Sequence, residues 1–322
     1  MIIDEKFKEL NRILKKHKNI FITGHRNLDL DAIGSCIGIS LICKKLKKNS
    51  YIIIDDEKHE LGVNKILNEI DKKLLIKSSD IDRFKGTDDL LVIVDTNKKS
   101  LLQNEELINT FNDSIIIDHH ETNEKTIKSS FKVIDSSSSS SCEMITDLIK
   151  KYKINLSSTE ATIILSGIVL DTNNFVVKVT SNTYKSAYYL STFGADSTKV
   201  QYYLKQDIND YILRQDLIRN VIIKNNVAIT LGNENINYRR EELAKMADTL
   251  LQFNGINASY VLGKIDSNIV GLSARSDNEI DVSKIAEKLG GGGDKNDAAA
   301  QISNVNINDV FNKLKEFING DE

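Results

Sequence analysis

The chain of 322 residues contains no proline, so its turns must rest on Gly, Asn and Asp, which accept left-handed backbone or bond to their own main chain. The accompanying abundance of Lys, Ile and Asn points to compositional bias or redesign and says nothing about mechanism. Cysteine is scarce. Cys36, Cys43 and Cys142 form an odd set without C-x-x-C spacing, which argues against a disulfide framework and a zinc ribbon and predicts small buried apolar residues. No apolar stretch approaches the roughly 18 residues a membrane span requires. The opening Met1-Ile2-Ile3-Asp4-Glu5-Lys6 also lacks the pattern of a secretory signal, and the expectation is a soluble, cytoplasmic chain. A net charge of -3 gives no general attraction to polyanions, so long nucleic acids are not expected partners.

Histidine is scarce too, and its placement is informative. Of five histidines, His25, His119 and His120 fall in two short motifs, Gly24-His25-Arg26-Asn27-Leu28-Asp29-Leu30-Asp31 and Asp118-His119-His120. Each motif follows an apolar run of strand character, Asn19 to Thr23 and Ser114 to Ile117. In a parallel α/β sheet, ligands and catalytic groups collect where strands end. Two more carboxylates, Asp95 after Leu90 to Val94 and Asp171 after Ile163 to Leu170, close strongly apolar runs. An unpaired charge beside a dry core is costly. A lone Asp there is usually a helix cap or turn residue, but the coincidence of three histidines with four or more carboxylates favours a metal site. The donor set suits Mn²⁺, Fe²⁺ or Zn²⁺ better than Ca²⁺, and the surplus of carboxylates suggests two ions sharing one Asp.

The length allows two domains, each with its own core. The fold class predicted is α/β. Helical and strand patterns alternate through residues 1–205 as in a mainly parallel, doubly wound sheet. Residues 206–220 read as a connecting helix, and 221–322 as a smaller α/β unit opening with a hairpin over Asn225-Asn226. Ser136 to Ser141 reads as a polar loop capping the next helix in preference to a phosphate-contacting one. Gly290 to Gly293 matches no nucleotide-binding motif. Four glycines in succession nevertheless favour a loop whose backbone approaches a ligand over a plain linker or helix cap.

Together these motifs resemble the DHH/DHHA1 phosphoesterase family and, within it, the catalytic region of GdpP-type cyclic-di-AMP phosphodiesterases. Gly24 to Gly34, Val94-Asp95-Thr96, Asp118-His119-His120 and Gly167 to Thr172 stand for its four acidic motifs, and Ser139 to Glu143 for a further shared stretch. The resemblance implies that residues 1–205 form a DHH metal-binding catalytic domain and 221–322 a DHHA1 substrate-binding domain. It implies two Mn²⁺ ions, one held by His25, Asp29 and Asp95, the other by Asp31, Asp95, His119 and Asp171. Asp95 would bridge and serve catalysis, while Asp118 and His120 would support the ions or contact phosphate. Ser273, Arg275 and the glycines Gly291, Gly292 and Gly293 would bind substrate, Arg275 clamping a phosphate through its planar fork.

The substrate class implied is a small nucleotide, a cyclic dinucleotide or a short oligonucleotide, and a homodimer is compatible with the resemblance. Two departures stand out. Leu28 replaces the family's proline, and Asp294 follows the glycine run where the family has His, with Asp297 where it has Asn. An acid beside a phosphate loop repels substrate unless neutralised. The leading reading is therefore a phosphodiesterase opening cyclic-di-AMP to pApA. The alternatives are an oligoribonuclease that also dephosphorylates phosphoadenosine phosphate, and a nucleotide-binding module with weakened catalysis.

Overall fold

The computed structural model describes residues 2–55 and 59–320, and the chain divides into two compact units, Met1–Lys205 and Gln206–Glu322. The first runs α1 (Ile2–Lys16), β1 (Asn19–Thr23), α2 (Leu30–Lys45), β2 (Asn49–Ile53), α3 (Leu61–Glu69), β3 (Leu75–Ile76), β4 (Asp89–Val94), α4 (Leu107–Thr110), β5 (Asp113–Asp118), β6 (Phe131–Ile134), α5 (Ser141–Tyr152), α6 (Ser158–Asp171), α7 (Ser181–Ser191) and α8 (Ser197–Tyr203). Among the described residues its strands lie in the order β3-β2-β1-β4-β5-β6, and every neighbouring pair is parallel. The chain winds outward from β1 on one side, returns, and winds outward from β4 on the other. The loops after β1 and β4 therefore diverge, and a crevice opens at the carboxyl ends of these two strands.

The strands read as unbroken apolar runs because both faces of the sheet are covered. Ile20, Ile22, Leu90, Val92, Ile115 and Ile117 pack with residues of α1, α2, α5 and α6. The alternate residues Phe21, Leu91, Ile93 and Ile116 pack on the opposite face with Ile81, Leu102 and Leu107. α2 is buried on nearly every side, because α5 and α6 press against it. A Cβ on Gly167 would lie 2.6 Å from Cys142 Sγ and 2.8 Å from Asp31 Cα, and one on Gly34 would lie 2.7 Å from the same sulfur. The missing side chains let three helices converge beside Asp31.

The second unit runs α9 (Ile208–Arg219), β7 (Ile222–Lys224), β8 (Val227–Leu231), α10 (Arg240–Leu250), β9 (Ala258–Asp266), β10 (Ile269–Ser276), α11 (Ser283–Lys288), β11 (Gly292–Gly293), β12 (Asp297–Ser303) and α12 (Ile307–Gly320). Its sheet has the order β11-β12-β10-β9-β8-β7, antiparallel except between β8 and β9. Asn225 and Asn226 both take positive φ, 49° and 61°, as a tight hairpin without glycine demands. The helix expected as a connector packs into this unit, with Leu217 in one core with Ala228, Tyr238 and Leu243.

The glycine run also departs from the expected ligand loop. Gly292 and Gly293 form a strand on β12, and a Cβ on Gly291 or Gly293 would stand 2.1 Å from Ala299 O or 2.3 Å from Asp297 O. The nearest neighbour of Gly291 and Gly293 is thus the chain's own backbone, whereas a Cβ on Gly292 would meet nothing within 4 Å. Among the described residues no helix is long and apolar enough to cross a membrane.

Candidate metal centre

Every histidine and aspartate singled out in the first unit lies at the end of an element facing the crevice. His25 sits in the loop after β1. Asp29 caps α2, its Oδ1 accepting the amides of Asp31 and Ala32, each at 2.9 Å. Asp31 lies in the first turn of α2, fully buried. Asp95 follows β4 with φ at 57°, a left-handed conformation that Asp tolerates better than most side chains. Asp118 ends β5, and His119 and His120 follow it. Asp171 is the last residue of α6, so it arrives from a helix and not from a strand end.

Asp95 holds the centre. Its Oδ2 lies 3.4 Å from His25 Nε2, and that nitrogen is 3.5 Å from Asp29 Oδ2. Its Oδ1 lies 3.4 Å from His119 Nε2, which in turn is 3.1 Å from Asp171 Oδ2. One donor atom from each of His25, Asp29 and Asp95 falls within 4.8 Å of the others, and the same holds for Asp31, Asp95, His119 and Asp171. The two oxygens of one carboxylate thus face two different clusters.

Charge and burial make this arrangement unstable by itself. Burial opposes the imidazolium of His119, but Asp171 and Asp95 outweigh it and hold the group up to about 11. Burial likewise opposes a charged His25, and Asp29 and Asp95 raise it well above the usual value. Burial would raise Asp95, yet His119 and His25 draw it below the ordinary carboxylate range. Burial raises Asp31 strongly, with Asp171 and Asp95 adding to it. Asp171 is pushed up to about 6 by burial, with His119 opposing and Asp95 and Asp29 contributing. The carboxylates outnumber the imidazoles, and compensation is incomplete.

The donors fit divalent cations. Both ring nitrogens of His119 and Asp118 Oδ2 are buried without a hydrogen-bond partner among the described residues, an expensive state for groups that have lost water. His119 Nε2 approaches two carboxylates without the alignment of a hydrogen bond, as expected of a lone pair directed at a shared cation. Imidazole with carboxylate oxygen is a borderline set that suits Mn²⁺, Fe²⁺ or Zn²⁺. Asp118 Oδ1 accepts the amide of His120 at 3.2 Å and pairs with its Nδ1 at 2.8 Å. This fixes a ring whose side chain is 55% exposed. Asn97, which the sequence did not single out, steadies the same loop by donating to the carbonyls of His120 and Glu121.

The serine loop does more than cap. Ser140 caps α5, accepting the amide of Glu143 at 3.0 Å, while its neighbour reaches the cluster. Ser141 Oγ donates to Asp95 Oδ1 at 3.0 Å, and the amides of Ser141 and Cys142 donate to Asp31 Oδ2 and Oδ1 at 2.7 and 2.8 Å. The available signal was two buried carboxylates in need of donors.

In the second unit, Ser273 is buried on β10. Arg275 is already engaged: Nε donates to Asp248 Oδ1 at 2.8 Å, and Nη1 to Asp297 and to Ala274 O. Asp294 exchanges backbone hydrogen bonds with Asp297. Gly292 and Gly293 form β11, paired with β12, and Gly291 precedes it.

The parallel sheet with this acidic and imidazole cluster at its turning point defines a DHH-type catalytic unit. Residues 19–168 match the DHH family N-terminal domain and residues 224–320 the DHHA1 domain. The chain belongs to the DHH/DHHA1 phosphoesterase family. It is 35% identical over 318 residues to the cyclic-di-AMP phosphodiesterase GdpP of Geobacillus thermodenitrificans, covering 96% of this chain and 48% of that protein. The chain thus spans about half the length of that relative. It is 27% identical to the bifunctional oligoribonuclease and PAP phosphatase NrnA of Mycoplasma genitalium, covering 92% of this chain and 93% of that protein. An exopolyphosphatase-related protein from Bacteroides fragilis shares the fold, with a TM-score of 0.80 at 18% identity, over 98% of this chain and 97% of that one.

Proposed function

We propose that the protein is a two-ion, Mn²⁺-dependent phosphodiesterase that opens cyclic-di-AMP to the linear dinucleotide pApA. The observation that carries this reading is Asp95, whose two oxygens face separate histidine–carboxylate clusters. His25, Asp29 and Asp95 would hold one ion, and Asp31, Asp95, His119 and Asp171 the other. Bound there, the ions would supply a water activated at neutral pH and neutralise charge on the phosphoryl group during in-line displacement. The buried carboxylates keep this pair of sites anionic, and the apolar strands beneath them exclude bulk water. His120, held through Nδ1 by Asp118, would contact the phosphate or deliver a proton from Nε2 to the leaving oxygen. The similarity to GdpP supports the cyclic substrate. Ser273, Arg275 and Gly291 to Gly293 stay candidates for substrate recognition, with Arg275 first requiring release from Asp297.

A second reading follows from the similarity to NrnA over nearly that protein's whole length: hydrolysis of short oligonucleotides or of phosphoadenosine phosphate. Side-by-side turnover of cyclic-di-AMP, pApA and phosphoadenosine phosphate with Mn²⁺, followed by chromatography, separates the two. Conversion of the cyclic dinucleotide to pApA as the fastest reaction supports the first reading. Faster turnover of either linear substrate moves the assignment to the second. Binding of nucleotide without any turnover would leave a binding module with lost catalysis.

A further inference from the structure

The two clusters around Asp95 are supported very unequally. In the Asp31–Asp95–His119–Asp171 cluster, both oxygens of Asp31 are taken by main-chain amides at the start of α5, and Asp95 Oδ1 receives the Ser141 hydroxyl. The start of α5 is itself anchored. Ser139 and Thr183 donate to Glu143 Oε2, and Asn182 donates to Glu143 Oε1 and Asp147 Oδ2. These links tie α5 to α7 through side chains that are largely buried.

Among the described residues the His25–Asp29–Asp95 cluster is less closely framed. His25 pairs through Nδ1 with the carbonyl of its neighbour Arg26. Asp29 spends Oδ1 on capping α2. Their side chains are 19% and 27% exposed, against 3% for Asp95.

We infer that Ser141 is a positioning residue that fixes the plane of the Asp95 carboxylate, so that the cluster framed by α5 takes the tighter of two ions. The inference rests on the two-ion reading given above. A carboxylate oxygen only accepts, so the Ser141 hydroxyl must donate. It occupies one lone pair of Oδ1, leaves the other for an ion, and turns Oδ2 toward His25 and Asp29. Without that bond the carboxylate can rotate about its last torsion, a broad and shallow one. Partners of this kind are worth roughly 10–100-fold in metal affinity.

The test is calorimetric titration of the metal-free protein with Mn²⁺, using wild type, Ser141→Ala and Ser139→Ala. The last change loosens the same loop without touching Asp95. Wild type is expected to bind in two phases. Ser141→Ala should weaken the tighter phase by about 10–100-fold and the weaker phase by less, with the metal-free melting temperature little changed, and Ser139→Ala should lose markedly less than Ser141→Ala. An unchanged tighter phase in Ser141→Ala overturns the inference, and so does an equal loss in Ser139→Ala, which would mark a general effect of the loop. Should the Ala variant not fold, Ser141→Cys, with a much weaker donor in the same place, must show the same loss in smaller measure or the inference fails. Wild type that binds no Mn²⁺, or only one ion, defeats the two-ion reading instead, so the two failures are distinguishable.

Discussion

The amide of Asp31 donates to Asp29 Oδ1 at 2.9 Å, so a residue of one cluster is hydrogen-bonded to a residue of the other through the first turn of α2. Asp29 therefore has two tasks, one for each oxygen, and they can be separated. Asp29→Ser keeps a capping oxygen but loses the one facing His25, whereas Asp29→Ala loses both. The Ala variant should be about 1 kcal/mol less stable than the Ser variant in urea unfolding. Both should lose more than about tenfold in turnover, the scale of a lost metal ligand or its support. Wild-type turnover in Asp29→Ser would restrict Asp29 to capping.

Asp95→Asn probes the centre without disturbing the backbone, because Asn accepts the left-handed φ that Asp95 adopts. The change removes the charge shared between His25 and His119. Turnover should fall by at least about a hundredfold, as expected when metal-assisted chemistry is dismantled. The metal-free protein should also melt earlier, since His119 and His25 hold the Asp95 carboxylate below its ordinary range and lose that partner. Retention of a tenth of the rate would show that Asp95 does not bridge.

Gly167→Ala should couple packing to the site. Its Cβ would stand 2.8 Å from Asp31 Cα and 2.6 Å from Cys142 Sγ, and backbone cannot yield as a flexible side chain can. A loss of roughly 1–3 kcal/mol is expected from overpacking, together with weaker Mn²⁺ binding as α2 and α6 are pushed apart. Thermal melting and metal titration check the two effects. A normal affinity in the destabilised variant would uncouple them.

Arg275 and Asp297 should act in opposite directions if Arg275 meets substrate. Arg275→Ala is expected to raise KM with little change in kcat, the signature of uniform binding. Asp297→Asn weakens the hold on Nη1 and should lower KM. Steady-state kinetics on cyclic-di-AMP decide it, and an unchanged KM in both variants would confine the pair to a structural role.

Stability should depend on Asp113, far from the site at the start of β5. His17 and then Ser130 pair with its carboxylate, and with Lys16 they lower its pKa against a small opposing effect of burial. A depressed folded-state value contributes stability that is present above the ordinary Asp range, near 3.9, and is lost as pH falls through the folded value. The urea midpoint of wild type should therefore drop more steeply below about pH 4 than that of Asp113→Asn. At neutral pH that variant should be about 1 kcal/mol less stable, the net worth of a hydrogen bond. Parallel acid profiles would exclude the linkage.

Asp95 and the Asp118-His119-His120 run were legible because they end or directly follow a strand whose apolar run announces itself, as Asp95 does after Leu90 to Val94. β6 was missed because Phe131-Lys132-Val133-Ile134 is short and carries a lysine. β12 was missed because Asp297 to Ser303 buries only the small side chains Ala298 and Ala300 on its inner face. The role of Ser141 could not be read locally, since its partners Asp31 and Asp95 lie 110 and 46 positions away. The engagement of Arg275 by Asp248 and Asp297 was hidden for the same reason. It depends on a helix and a neighbouring strand meeting around β10, and no spacing rule encodes that.

The sulfur of Cys142 is wedged where Gly34 and Gly167 bring α2 and α6 together, and it shares that burial with Cys36 and Cys43. Burial pushes all three thiols upward, Cys43 to about 12 and the others strongly in the same direction. Thiolate is the form that alkylating agents and peroxide attack. The centre thus has a thiol packed against the backbone of one of its aspartates and yet presents almost no thiolate, so oxidants and electrophiles that silence cysteine-dependent hydrolases would leave this one working.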